Sequence, residues 1–236
     1  MGGSTGVWIL GGFQSDFARN LTKEGRDFAA LTAEVVEGTL ASAGVNAAAI
    51  EVVHVANAFG EMFAGQGHLG AMPASVRDGL WDTPASRHEA ACASGSVAAL
   101  SAMADLRSGA YDCALVVGVE LEKTVPGDTA AQHLGAAAWT GHEGQGARYL
   151  WPSMFAEVAH EYDRRYGLDD AHLRAVAQLN FANARRNQRR GGRVSGRGRP
   201  DLRHSQFRRE HRHHGEFRRR HCVRYLTWML RSSASS

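Results

Sequence analysis

Alternating strands and helices predict an α/β fold with a mostly parallel sheet, and three observations carry that prediction. Cys113-Ala-Leu-Val-Val-Gly-Val-Glu120 is an unbroken apolar run, the signature of a strand covered on both faces. Phe28, Leu31 and Val35 repeat at helical spacing, and Gly44 can take the left-handed conformation that ends a helix. His88-Glu-Ala-Ala-Cys-Ala-Ser-Gly-Ser-Val-Ala-Ala-Leu100 passes from a short strand-like run into a helix of small residues. In order, the pattern predicts strand 6–13, helix 27–43, strand 51–57, helix 68–80, strand 86–91, helix 93–107 and strand 112–120. Right-handed crossovers would join these into a βαβαβαβ layer.

Cys92 is the candidate nucleophile. A thiol at a helix N-terminus feels the positive end of the peptide dipoles and faces unpaired amide N–H groups, so its thiolate is favoured. The helix after it carries Val97, Leu100 and Ala104 at a three-then-four spacing, while Ser94, Gly95, Ser96, Ala98 and Ala99 keep its surroundings small. A lone cysteine among alanines is ordinarily a small buried hydrophobe. Here the order of strand, Cys, helix, turn and buried strand favours chemistry instead.

At Ala91-Cys-Ala-Ser-Gly95, followed after one helix by Asp112-Cys-Ala-Leu-Val-Val-Gly-Val-Glu120, the sequence resembles the thiolase superfamily, specifically the sterol-carrier-protein-type (lipid-transfer-type) acetyl-CoA acetyltransferases. Val7-Trp-Ile-Leu-Gly-Gly-Phe-Gln-Ser-Asp-Phe-Ala-Arg19 is similar to the family's opening strand and the loop bearing its Ser/Thr-x-Phe element. Asn57-Ala-Phe-Gly-Glu-Met-Phe-Ala-Gly-Gln-Gly67 is similar to its Gly-rich loop after the second strand. Upstream of the nucleophile, His88-Glu89 stands in place of the Asn-containing strand of degradative thiolases, which favours the sterol-carrier-type branch and leaves the acyl chain undefined.

The resemblance implies a thiolase-like half at residues 1–120, a helical loop domain at 121–187 that lies over the active site and helps hold coenzyme A, and a tail at 188–236. It implies an acyl-CoA acyltransferase acting on 3-oxoacyl-CoA and acetyl-CoA through a Cys92 acyl-enzyme. Coenzyme A thioesters would be substrates, with no metal or redox cofactor. The family's activating His and second Cys belong to a second half whose motifs are absent after Asn187, so the chain is expected to be truncated and catalytically incomplete. His88, His133, His142 and His160 read as surface or loop histidines rather than a general base. Two similar halves face each other in that family, so a half alone would expose apolar surface and be oligomeric or aggregation-prone.

Within 121–150, Gly127, Gly135, Gly141, Gly144 and Gly146 suggest a long surface excursion. Phe155, Val158, Ala159, Tyr162 and Tyr166 then share one helical face, and a helix from about Asp170 to Arg186 carries Leu173, Val176, Ala177, Phe181 and Ala184 on one side. From Gln188 the composition changes. Residues 1–188 hold 13 Lys and Arg against 21 Asp and Glu, and residues 189–236 hold 14 Arg against 3 acids, so −8 and +11 make up the net +3. A stretch such as Arg189-Arg-Gly-Gly-Arg-Val-Ser-Gly-Arg-Gly-Arg-Pro200 has no hydrophobic period and reads as disordered.

The tail admits three readings: a basic arm for nucleic acid or an anionic membrane, a histidine cluster able to hold a metal but lacking paired spacing and Cys or carboxylate partners and so read as incidental, or an out-of-frame reading of a high-GC coding region. None of His204, His211, His213, His214 and His221 has the Gly-rich loop that would make it a substitute for the activating His. A non-enzymatic module using the tail for nucleic acid is the competing function. No run reaches the roughly 18 apolar residues of a membrane span, and no secretory signal opens the chain. Cys92, Cys113 and Cys222 sit at unrelated spacings that fit a reducing compartment and suggest neither disulfide nor zinc, so a cytoplasmic location is expected.

Overall fold

A computed structural model describes residues 6–186 and 226–232. By their contacts these residues fall into two compact units, one holding 6–15, 19–126 and 226–232, the other 16–18 and 127–186. The first unit is built on a five-stranded sheet of β1 (Val7–Gln14), β2 (Val52–Ala56), β3 (Ala85–His88), β4 (Cys113–Gly118) and β5 (Leu226–Ser232). Its order is β1-β5-β4-β2-β3. β2 runs parallel to both β3 and β4, and β5 lies antiparallel between β1 and β4.

Side-chain alternation along β2 and β4 divides the core in two, as a period of two requires. Val53, Val55, Leu115 and Val117 meet the helix α1 (Phe28–Ala43) through Leu31, Val35, Val36 and Leu40. On the opposite face Val52, Ala56, Ala114 and Val116 meet Ala98, Ala102 and Leu106 of α4 (Ser94–Ser108), the crossover between β3 and β4. The small side chains at 98 and 102 let that helix lie close to the sheet. α1 begins where the Asp27 carboxylate accepts from Ala30 N at 2.9 Å and ends at Gly44, whose φ of 65° is open to glycine. Its two buried threonines, Thr32 and Thr39, donate to the carbonyls of Phe28 and Val35, each at 2.7 Å, so no hydroxyl is buried unpaired.

Two local readings change. The continuous helix expected over 68–80 is a 3₁₀ turn at Leu69–Ala71, a short α3 (Met72–Val76) and a second 3₁₀ turn at Asp78–Leu80. Pro73 sits in the first turn of α3, and Arg77 is extended with φ −145°, so the helix cannot continue. Leu69 and Leu80 are buried at its two ends, which is the apolar spacing that suggests one helix. The Gly-rich loop holds a short helix of its own, α2 (Gly60–Ala64), stopped by left-handed Gly65.

The second unit contains α5 (Gly127–Gly135), α6 (Leu150–Tyr166) and α7 (Asp170–Arg186). α5 lies inside the stretch read as a surface excursion. It is tied to α6 by Trp151 Nε1 donating to Leu134 O at 2.8 Å, while Arg148 and Tyr149 donate to the Asp128 carboxylate. α6 and α7 match the expected helices, but their apolar faces are open: Phe155, Val158, Tyr162, Tyr166, Val176 and Leu179 are all more than half exposed. Periodicity identifies an apolar face without identifying its cover.

Beyond Arg186, Leu226–Ser232 forms β5, a strand that the composition of the tail does not announce. The basic arm, the five tail histidines and Cys222 lie outside the described residues. None of the described helices is long and apolar enough to cross a membrane.

At Gly11, beside a register shift in β1, an added methyl would sit 2.7 Å from Ala43 N and 2.8 Å from Ala43 Cα. Backbone cannot yield as a side-chain tip can. Gly11→Ala is expected to push β1 off α1 and lower stability by about 1–3 kcal/mol, read as a drop in the urea midpoint.

Candidate active site

The carboxyl ends of β2, β3 and β4 point to the same edge of the sheet, where α/β folds place their ligand sites. Cys92 lies just past β3, exposed, in the 3₁₀ turn Ala91–Ala93 that leads into α4. No side chain caps the first turn of α4; its leading amide, Ser94 N, donates to the Ala91 carbonyl and closes the 3₁₀ turn. Ala91, immediately before the thiol, has φ 47°, a left-handed conformation that a residue with a Cβ adopts only under constraint.

The constraint is visible. Ser94 Oγ accepts from Ala90 N at 2.9 Å and donates to Ala91 O at 2.7 Å, and the Glu89 carboxylate accepts from Ala91 N at 2.5 Å. Nothing lies within 4 Å of where a Cβ on Gly95 would be, so the space beside the turn is open. Cys113, in contrast, is buried in β4.

The loops after the three strands are bound together through Asn57, which is 1% exposed. Its amide Nδ2 donates to Val119 O at 2.8 Å, its Oδ1 accepts from Gly60 N at 3.1 Å, and its backbone N donates to His88 O at 3.2 Å. Arg87 of β3 donates to the Asn57 and Ala58 carbonyls and pairs with Glu61, a contact that holds the Glu61 carboxyl below its ordinary range and raises the guanidinium. One oxygen of Glu120 accepts from the amides of Ala58 and Phe59. The Asn57–Gly67 loop is thus cross-linked to the end of the 112–120 segment and to the end of β3.

Two carboxyls there are held toward their neutral form. Burial pushes Glu120 up, with the two loop amides pulling the other way. Burial, aided by Glu120, pushes Glu122 up to about 7. Each has an enclosed Oε2 without a hydrogen-bond partner among the described residues. Glu120 enters the sequence reading only as the last residue of a motif and Glu122 not at all, because a carboxylate in a loop gives no sign of enclosure.

A concavity of about 540 Å³ opens at the other end of the sheet, beside Glu51, Asp78, Trp81, Asp82 and Asp112. Four carboxylates and no Lys or Arg line it, so it does not suit a phosphorylated ligand. Among the described residues no group of three His, Cys, Asp or Glu side chains could hold a metal. His142 and His160 are exposed, as expected, with His142 stacked on Trp139. His88 is not a surface histidine: it is partly enclosed at the end of β3 and touches His54, a buried histidine of β2 that the sequence reading passes over.

Glu122 is ionised in the unfolded chain above about pH 4.5, whereas the fold keeps its proton up to about 7. Stability contributed by the neutral acid is therefore full at low pH and is lost as pH rises through 7. Glu122→Gln should remove this loss: between pH 5 and 8 the wild type should fall relative to the variant by about 1–3 kcal/mol in urea unfolding.

Comparison with known proteins gives the chain's family. Residues 7–192 match the family described as "Thiolase, N-terminal domain". The chain is 32% identical over 164 residues to an acetyl-CoA acetyltransferase of Methanocaldococcus jannaschii, covering 69% of this chain and 41% of that protein. It is 30% identical over 184 residues to an acetyl-CoA acetyltransferase of Methanothermobacter thermautotrophicus, covering 78% and 46%. The chain thus spans less than half the length of these curated relatives.

Among solved structures, the acetyl-CoA acetyltransferase of Syntrophomonas wolfei aligns with TM-score 0.59 and 15% identity, over 98% of this chain and 65% of that one. The Acat5 thiolase of Ascaris suum in complex with coenzyme A aligns with TM-score 0.63 and 15% identity, over 96% and 66%. At that identity the likeness concerns the fold alone. The family match covers most of the chain, including the Cys92 turn and the cross-linked loops, and the protein belongs to the thiolase N-terminal domain family.

Proposed function

We propose that this chain is the nucleophile-bearing part of an acyl-CoA acyltransferase of the sterol-carrier-protein-type branch, with Cys92 forming the acyl-enzyme. The observation that carries the reading is the exposed Cys92 thiol at the uncapped start of a 15-residue helix, after a residue held in a left-handed conformation. The N-terminal end of such a helix can receive charge from an oxyanion on the substrate carbonyl. The family match and the acetyltransferase relatives support the substrate class.

In the forward direction the Cys92 sulfur would attack the 3-keto carbon of a 3-oxoacyl-CoA. The C2–C3 bond then breaks, its electron pair leaves on the acetyl-CoA fragment as an enolate that takes up a proton, and the acyl group stays on sulfur. A second coenzyme A thiol displaces the acyl group as a new thioester and restores Cys92. Residues 1–120 are assigned the catalytic layer and 121–187 the loop domain. The chain itself would supply the nucleophile without the activating base, so acylation is expected without thiolytic turnover. A cytoplasmic location fits this chemistry and the cysteine usage.

Brief treatment with iodoacetamide should label exposed Cys92 about tenfold or more faster than buried Cys113, as peptide mass spectrometry would read. Acetyl-CoA should add one acetyl group at Cys92 and none in Cys92→Ser. Equal labelling of both thiols, or acetylation that survives the substitution, would overturn the nucleophile assignment.

The open faces of α6 and α7 lead to a second expectation. The purified chain should bind a hydrophobic dye and sediment as species larger than 25.5 kDa, and replacing Phe155, Val158 and Tyr162 by Ser should reduce both signals. A monodisperse monomer without dye binding would remove the oligomer reading.

A further inference from the structure

His54 lies in the middle of β2, 3% exposed, on the face covered by α4. A polar ring at such a position is costly unless paired. Its Nδ1 is 2.9 Å from Nε2 of His88, the last residue of the neighbouring strand β3, and the two ring centroids are 5.0 Å apart. Its Nε2 is 3.2 Å from Asp105 Oδ2 on α4, within ion-pair reach although not aligned as a hydrogen bond. Ser86 Oγ also sits 2.9 Å from His88 Nε2, and Ser101 Oγ of α4 sits 3.5 Å from His88 Nδ1. Among the remaining neighbours on this face, Val52, Ala56, Ala98, Ala102, Ala114 and Val116 carry no titratable group, and Tyr111, packed against the same cluster, brings a phenol. The cluster therefore spans β2, β3 and the helix that begins just after Cys92.

The atoms leave little freedom in where the protons lie. Asp105 can only accept, so the hydrogen of neutral His54 belongs on Nε2, facing the carboxylate. Nδ1 of His54 is then an acceptor, and His88 must donate to it from Nε2. Nδ1 of His88 remains with a lone pair toward Ser101. One added proton fits there without breaking a contact, with the charge offset by Asp105 across the neutral His54 ring. A second would require hydrogens on both nitrogens that face each other across 2.9 Å, and the His54–His88 contact would break.

We propose that Asp105, His54 and His88 form a one-proton relay in which His88 is a positioning residue for the Cys92 turn, clamping the end of β3 to α4. The proposal rests on the reading of Cys92 as the nucleophile. His88 lies four residues before Cys92, and its carbonyl is the acceptor for Asn57 N, so a shift of His88 is passed to the turn and to the Gly-rich loop together. Burial, followed by the neighbouring His88, disfavours the charged form of His54, and Asp105 acts in the opposite sense; this agrees with the bridging ring staying neutral.

The test is an imidazole nitrogen NMR titration of the whole chain from pH 4 to 9, in wild type, His88→Gln, His88→Val and Asp105→Asn. The expected wild-type result is uptake of a single proton at His88 Nδ1 while His54 keeps its Nε2 hydrogen, with a second proton entering only about a pH unit or more lower. Asp105→Asn should move the first uptake to lower pH. Alkylation of Cys92, corrected for thiolate fraction, should change by about threefold across the first uptake in wild type. It should be flat in His88→Gln, which keeps a donor for His54 but has no proton to gain, and His88→Val should slow it at every pH. Independent one-proton titrations of the two rings would overturn the relay, as would a wild-type pH dependence that survives in His88→Gln. If Cys92 fails to alkylate at any pH, the nucleophile reading falls, and the ring titrations still decide whether the relay exists.

Discussion

Asn57 uses both its side chain and its backbone to join segments that sequence keeps far apart. Its amide reaches Val119 after β4, its backbone reaches His88 at the end of β3, and its carbonyl receives Arg87. A buried primary amide must satisfy both donor and acceptor, and an aspartate or leucine here would leave partners unpaired. The edge carrying Cys92 depends on that joint, because the strands alone fix only where each loop departs.

Around the joint the electrostatics divide. Arg87 and Glu61 neutralise one another across the loop, whereas Glu120 and Glu122 are enclosed without a cation among their hydrogen-bond partners. The Cys92 turn sits next to this set but is stabilised differently, through Ser94 and Glu89 gripping backbone amides. A strained Ala91 persists because neighbouring groups hold it on both sides. The turn thus combines a fixed backbone with open space beside it at Gly95.

Elements written in local sequence were legible. The apolar run of β4, the Asp27 and Gly44 ends of α1 and the small-residue helix after Cys92 all emerge close to where their spacing puts them. The helix over 68–80 fails because two buried leucines mimic one period while Pro73 and Arg77 break it. His54 stays hidden for another reason: its partners are His88, 34 residues on in the next strand, and Asp105 on a later helix. No local pattern encodes that meeting. β5 is hidden as well, since arginine-rich flanks obscure a short Leu-Thr-Trp-Met-Leu run.

The position of β5 also sets an order of assembly. β2, β3, β4 and α4 can close on one another using residues 52–118 alone, with short connections. β1 cannot join them directly: it reaches β4 only through β5, so that Val7 finds its partner in Ser232. β1, the earliest of these five strands in chain order, is thus the last to be seated in the sheet, and until β5 is made it has α1 as a surface to rest on. Before β5 pairs, the β1 edge that β5 later covers is an open row of backbone donors and acceptors, a template that a second strand could occupy.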